Sequence, residues 1–448
     1  MAREACDTPL GVLEAFREGL TRPGFKRMAV VFVGWVLTAG THAITEALVA
    51  TGVAGRQHHE AFHRFFSRGS WSPDELGRFL FGRIRRWQDE RWPIRAALDD
   101  TLAPKKGPHV FGIGSHLDAV RSTRRQRIFC FGHCWVVLAL LVRVPFSERT
   151  WAMPLLFRLY RNKKECVAKG AAYRKKTELA REMLNVFVGW CGGQRIEVSA
   201  DSAYCNDTVT NGLPANVVLL GAMRPDAVLT DLPPAPLCRR AGRPRLRGRV
   251  LRKPQALARD GRTPWQSCTA NLYGRTRVVH YKECLAQWYR ACGTRLLKVV
   301  VVRIDNGALA FRVFFSLDPT LSVPQILEGY AGRWAIEVCF RDLKQLLGFA
   351  DSAARKKEAV ERTAPFVGLS YSALVLWFAQ GAWTSSWATP PLRPWYPNKR
   401  GLSFADVLRA AQRAFMERGV LDLRCNIHDL RNRRHRRLHR PFPLKRAA

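Results

Sequence analysis

Acidic residues are scarce in this chain. Asp and Glu number 36 against 73 Lys and Arg, a formal net charge of +37 at pH 7. A balance this basic favours a polyanionic partner, because each neutralised phosphate releases counterions. Paired cysteine motifs are missing altogether. Twelve cysteines are scattered through the 448 residues and none forms a CxxC, which argues against a zinc ribbon, and the chain is too long to need a disulfide scaffold. The tightest group, Cys130 and Cys134 in CFGHC, lies in the apolar run IFCFGHCWVVLALLV, which reads as a buried strand with reduced thiols. The N-terminal stretch carries acids and no continuous apolar core, so no signal peptide is read there. Long uncharged runs are almost absent too. The one of bilayer length, Ala364 to Trp383, contains Pro365, two serines, Gln380 and two glycines, and reads as a buried core helix rather than a membrane span. No internal repeat is found. Hydrophobic residues make up 47%, enough for sizeable cores, and the length suggests several domains.

The pattern along the chain changes near residue 93. Residues 1–92 read as helical, with TPLGVLEAFREGL opening on Thr8 as a cap candidate. Two later helices are separated by a turn, with Ser72 as N-cap and Pro73 in the first helical position. Arginines and histidines line them, a common way to present side chains to DNA. Beyond Ile94, AALDDTL, HVFGIGSH and IFCFGHCWVVLALLVRV read as strands, followed by a lysine-rich polar stretch and the amphipathic helix KTELAREMLNVFVGW. RIEVSADSAY and NVVLLGAM are further strands. This order implies a mixed α/β sheet. Residues 223–295 break the pattern with a Pro- and Gly-rich basic loop, in which Gly242-Arg243-Pro244 suits either a minor groove or a solvated loop. LLKVVVVRIDNGALAFRVFFSLD then reads as a hairpin turning at Asn306-Gly307. A helix is expected over 321–347, opened by the capping box Ser322 and Gln325 with Pro324 in its first turn, and closed at Gly348. A terminal helix near 404–417 and the basic run RNRRHRRLHR complete the chain.

The helix over 321–347 carries an unusual stripe. At 100° per residue Tyr330, Arg333, Glu337 and Lys344 fall at about 0°, 300°, 340° and 320°, so all four share one narrow face. Ile336, Phe340, Leu343 and Leu347 occupy the adjoining stripe. The apolar face packs on a core, and the mixed face suits either a solvated set of ion pairs or a cleft wall. Further acids stand in strand-like segments, at Asp99-Asp100 and at Asp201. Carboxylates that meet at one point repel unless a divalent cation neutralises them, and oxygen donors of this kind suit Mg²⁺ or Mn²⁺.

The spaced set Y-x2-R-x3-E-x6-K, filled by Tyr330, Arg333, Glu337 and Lys344, resembles the signature of a large group of bacterial insertion-sequence transposases of the DDE type. LDDTLAPKKG is similar to the first acidic motif of that group, and the aspartate directly before Thr points to Asp100. ADSAY resembles the second motif and gives Asp201. One departure is Cys205, where the group usually has glycine. GSHLDAVRSTRRQR and FGHCWVVL also look like the group's segment between the first two acids. The resemblance spans about residues 55–380.

The resemblance implies an α/β fold with a ribonuclease H-like, retroviral-integrase-like mixed-sheet catalytic core. It implies a β-rich insertion between the second and third acids, with helical N- and C-terminal regions flanking the core. The corresponding parts are a helical DNA-binding region (1–92), the first part of the core (93–222), the insertion with its basic loop (223–295), the second part of the core (296–350) and a helical C-terminal region with a basic tail (351–448). Asp100, Asp201 and Glu337 would be both catalytic and metal-holding, with two Mg²⁺ ions or Mn²⁺ in their stead. Arg333 and Lys344 would contact phosphates, Tyr330 would pack beside them, and Lys105 and Lys106 would touch the DNA backbone. His116 and His133 are read as structural. The implied activity is DNA transposition: recognition of terminal inverted repeats, phosphodiester hydrolysis at each end, and joining of the 3′ hydroxyls to target DNA. The partners would be double-stranded transposon-end and target DNA, with a dimer in the complex and no membrane, and the location cytoplasmic at the nucleoid. The alternative is a catalytically silent DNA-binding protein descended from such an enzyme.

Overall fold

A computed structural model describes residues 8–88, 92–107, 109–123, 125–234, 245–306, 308–395 and 401–417. The Gly242-Arg243-Pro244 segment, the turn residue Gly307 and the C-terminal basic run lie outside the described residues.

The longer N-terminal helices are α1 (Arg22–Leu37), α2 (Ile44–Ala50), α3 (Glu60–Ser67) and α4 (Pro73–Trp87). Thr8 does not cap the first turn through its side chain. Ser72 does cap α4: its hydroxyl accepts from the Glu75 amide, with Pro73 in the first turn as expected. Four strands follow: β1 (Ile94–Pro104), β2 (Gly114–Leu117), β3 (Phe129–Val144) and β4 (Ser147–Tyr160). The sequence reading lacked β4. Its residues WAMPLLFRLY alternate poorly because they are covered on both sides, so no period of two marks them. Helix α5 (Lys176–Trp190) leads to β5 (Ile196–Ala200) and β6 (Val217–Met223). The segment between the second and third acids supplies β7 (Gln266–Leu272) and β8 (Arg275–Gln287), and then come β9 (Leu296–Asn306) and β10 (Ala308–Ser316).

These strands form one ten-stranded sheet in the order β2-β3-β1-β5-β6-β10-β9-β8-β7, with β4 also paired to β3. Strands β1, β5 and β6 run parallel, while β4, β3 and β1 are antiparallel neighbours. The β7–β8 hairpin of the insertion therefore extends the central sheet through β9. The expected hairpin of β9 and β10 is present, with Asn306 opposite Ala308.

The anticipated long helix is divided. Helix α6 (Val323–Gly332) and helix α7 (Trp334–Leu346) meet at Arg333, whose backbone remains right-handed. The capping box of Ser322 and Gln325 is formed. Gly348 ends the unit at φ +56, a conformation that strains a residue with a Cβ. Helix α8 (Lys357–Ala379) then crosses the core, and α9 (Phe404–Glu417) packs against it. Most of the uncharged segment, residues 364–379, lies inside α8 and is buried; its last four residues follow the helix and are partly exposed. Among the described residues no helix is long and apolar enough to cross a membrane.

The sheet is covered on both faces. Helices α4 and α5 share one side, where Phe81 meets Phe187 edge-on and Arg158 of β4 bridges Asp74 of α4 and Glu182 of α5. Helices α6, α7 and α8 lie on the other. Burial on both sides explains the near-continuous apolar run of β3, from Cys134 to Val142. The buried side chains of α1, α3 and α4 are continuous with this core. A smaller cluster, including Leu220, Val300, Ile326 and Leu327, seats α6 on β6 and β9.

Candidate metal and phosphate site

Alternation along β1 sends neighbouring residues to opposite faces. Leu98, Asp100 and Leu102 therefore face α5, and Ala97, Asp99 and Thr101 face α6 and α7. The parallel register of β1 and β5 pairs Ala97 with Ser199 and Leu98 with Ala200. The next residues are Asp99 and Asp201, which register puts on the same side. Ser199, two residues before Asp201, donates its hydroxyl to the Gly329 carbonyl of α6 at 2.8 Å, which fixes that side as the α6 side.

Arg333 sits at the centre of this face. Its Nη1 donates to Asp99 Oδ2 at 2.5 Å and its Nη2 to Glu337 Oε1 at 2.7 Å. The guanidinium lies 5.6 Å from the Tyr330 ring centre, and Tyr330 packs 4.8 Å from the Phe314 ring. Burial works against the Arg333 charge, but Asp99, Tyr330, Glu337 and Asp201 together hold its pKa above the ordinary value. Burial pushes the Asp99 carboxyl up to about 7, with Arg333 and the hydrogen bond from the Asp100 amide pulling it down and the charges of Asp100 and Asp201 adding to the rise. The Arg333 Nε is buried without a hydrogen-bond partner.

Asp100, expected beside Asp201 and Glu337, does not share their face in this arrangement. Asp100 turns to the α5 side. Its Oδ2 accepts from Lys176 Nζ at 2.7 Å and from Cys134 Sγ at 3.4 Å, and its Oδ1 accepts from the Tyr204 hydroxyl at 2.7 Å. Its charge is already balanced by a lysine. Asp99 takes the place on the α7 side. No sequence signal distinguishes it from Asp100, because the strand register decides which of two adjacent residues faces Asp201 and no motif spacing reports register.

The other expected residues divide. Tyr330, Arg333 and Glu337 are brought together as their helical spacing requires, despite the break at Arg333. Lys344 is exposed farther along α7, and the acid it feels is Asp118, near the end of β2. Lys106 is exposed. Lys105, expected to touch the DNA backbone, is engaged within the chain. Its ammonium is half-buried and donates to the carbonyls of Ala350 at 2.7 Å and Ser352 at 2.5 Å, so it ties the end of β1 to the chain after α7. His133 is buried and its Nε2 is 2.9 Å from the Phe111 carbonyl, a structural bond. Burial pushes its pKa down to about 4. His116 is likewise buried. Cys205 is accommodated behind Asp201: its thiol donates to the Asp201 carbonyl at 3.3 Å, and it fills the space that a Cβ on Gly221 would need.

As a donor set, Asp99, Asp201 and Glu337 fit a hard divalent cation, being carboxylates only. Two of them already converge on one positive group, the guanidinium of Arg333. Among the described residues no three His, Cys, Asp or Glu side chains stand close enough together to hold an ion. Arg333 is what neutralises Asp99 and Glu337 in this arrangement.

The sequence profile of the family described as DDE superfamily endonuclease matches residues 15–277, more than half of the chain. The match includes Asp99, Asp100 and Asp201 and stops before Glu337. No curated protein matches the sequence.

Proposed function

This chain belongs to the DDE superfamily endonucleases, and from that premise we propose that it is a DNA transposase. It binds the terminal inverted repeats of an insertion sequence, cleaves a strand at each end and joins the freed 3′ hydroxyls to target DNA. One observation carries the reading: Arg333 draws Asp99 and Glu337 together on the face to which Asp201 belongs. The ribonuclease H-like core is part of the same proposal. It is supported by the antiparallel run β4-β3-β1 continuing into parallel β5 and β6, with acids on β1 and directly after β5.

Asp99, Asp201 and Glu337 would hold Mg²⁺, two ions with Mn²⁺ as a substitute. Bound there, such ions supply Lewis acidity and lower the pKa of water. The remaining work falls to the chain's own groups. The carboxylates gather positive charge where the scissile phosphodiester must lie. Tyr330 backs the Arg333 guanidinium, which keeps it aimed at that place once a phosphate competes with the carboxylates. Lys344 and Lys106, both exposed, suit phosphates of the DNA backbone. Two ends must be paired, so the DNA complex is a dimer.

The test uses a plasmid carrying a segment bounded by the DNA that flanks the gene on either side, searched first for short inverted repeats. With Mg²⁺ the protein nicks at the repeat ends. Asp99→Asn, Asp201→Asn and Glu337→Gln each lower the nicking rate at least about a thousandfold, corresponding to about 4 kcal/mol, and leave DNA binding intact. Nicking that survives any one of these changes removes that residue from the site. DNA binding by the native protein with no nicking under any divalent ion leaves the silent descendant as the correct reading.

A further inference from the structure

The carboxylate that turns away from the site still touches it through the chain. Asp100 follows Asp99 directly, and its own amide donates to Asp99 Oδ1 at 2.8 Å. Its side chain crosses to the far face and accepts from the Tyr204 hydroxyl at 2.7 Å. Tyr204 is 1% exposed and lies in the single helical turn Ser202–Tyr204 that begins directly after Asp201. One hydrogen bond thus joins the neighbour of Asp99 to the turn that starts at Asp201. Asp201 itself gains no side-chain bond from that turn. Its backbone is held instead by two contacts of the turn, the Tyr204 amide on the Asp201 carbonyl at 2.9 Å and the Cys205 thiol on the same oxygen. Beyond Leu98 and Ala200 the pairing of β1 with β5 ends, so no ladder bond fixes Asp99 against Asp201. The Asp100–Tyr204 bond spans that gap.

We propose that Asp100 and Tyr204 are positioning residues, and that their hydrogen bond sets the separation of the Asp99 and Asp201 carboxylates across the end of the β1–β5 ladder. This rests on the reading of Asp99 and Asp201 as metal ligands. A hydrogen bond to an ionised carboxylate is among the stronger ones, because the charge assists it. Lys176 and Cys134 bond the same carboxylate from α5 and β3, and neither forms a hydrogen bond with the turn. They stabilise the charge of Asp100, and Tyr204 alone transmits its position. Groups that orient metal ligands without touching the metal commonly change affinity by about ten- to a hundredfold when removed.

Mn²⁺ binding to the full-length protein, followed by calorimetric titration beside the thermal midpoint of each variant, tests this. Tyr204→Phe keeps the buried ring and removes one hydroxyl, and it is expected to weaken Mn²⁺ binding about tenfold. Asp100→Asn retains an acceptor for Tyr204 and weakens binding less. Combining the two changes costs no more than Tyr204→Phe alone, because both break one bond. Cys134→Ala removes a bond to the same carboxylate that is not shared with the turn; it lowers the thermal midpoint and leaves Mn²⁺ affinity within about twofold of native, a difference well under 1 kcal/mol. Native affinity in Tyr204→Phe, or losses of affinity that follow the thermal midpoint across all variants, Cys134→Ala included, overturns the proposal. Asp99→Asn separates the two levels of the argument. If it binds Mn²⁺ as the native protein does, the metal site itself is misassigned; if it loses Mn²⁺ while Tyr204→Phe does not, only the positioning role is.

Discussion

Replacing Arg333 with Met should produce a protein that is unstable alone and repaired by a divalent cation. The side chains of Arg333 and Asp99 are 13% and 18% exposed and that of Glu337 is 36% exposed. Removing one partner of a buried ion pair costs about 3–5 kcal/mol, whereas an exposed pair is worth about 0–1 kcal/mol. The Asp99 half of the bridge belongs near the first range and the Glu337 half near the second after solvent screening, which together with incomplete burial gives about 2–3 kcal/mol. Two carboxylates are then left facing each other, with Asp201 on the same side. A cation that binds only the folded state returns about 2.7 kcal/mol at a hundred times its dissociation constant, close to the whole loss. At about 2 °C per kcal/mol for a chain of this size, the thermal midpoint should fall by several degrees in chelator and recover in Mn²⁺. Arg158→Met is the control. Arg158 is 17% exposed and also bridges two acids, Asp74 and Glu182, on the far side of the sheet. It should be destabilised to a similar degree, with no comparable recovery, because Arg174 still pairs with Glu182. Adding Asp99→Asn to Arg333→Met should abolish the recovery. An Arg333→Met protein whose midpoint ignores Mn²⁺, or whose recovery persists without Asp99, refutes the claim that these carboxylates form a cation site.

Further outcomes concern the residues around the site. His133 sits neutral in the folded protein with its pKa pushed down to about 4 by burial, so the unfolded chain takes up its proton first as pH falls. Its contribution is complete above about pH 6.5 and is lost between there and pH 4, a change of about 3 kcal/mol in denaturant titrations. His133→Gln should flatten that part of the pH profile, and an unchanged slope refutes the assignment. Lys344→Ala should weaken DNA binding and reduce the slope of log affinity against log salt by about one. Lys105→Met should leave that slope unchanged and lower the thermal midpoint, because its ammonium serves two carbonyls. A slope change with Lys105→Met would return that lysine to the DNA interface.

What the amino-acid order fixed is local. The capping box at Ser322 and Gln325, the Ser72–Pro73 start of α4, and the pairing of β9 with β10 depend on neighbours within a few residues, and each is present. The contact of Arg333 with Glu337 is of the same kind, because four residues of helix bring them together whatever surrounds them. The composition marked the uncharged segment as core, and α8 is buried. The tertiary structure decided what depends on register and on covering layers. Two adjacent aspartates in one strand are equivalent by composition and nearly so by motif. Only the pairing of β1 with β5, and the helix on each face, sends Asp99 toward Glu337 and Asp100 toward Tyr204 and Lys176. Strand β4 was hidden for the same reason, since burial on both faces erases the alternation that announces a strand. Lys105 looked like a free cation beside an acidic motif until the chain after α7 folded over it and offered two carbonyls. A local rule acts through bonds that the backbone makes with itself. Which face a side chain meets is settled by segments hundreds of residues away.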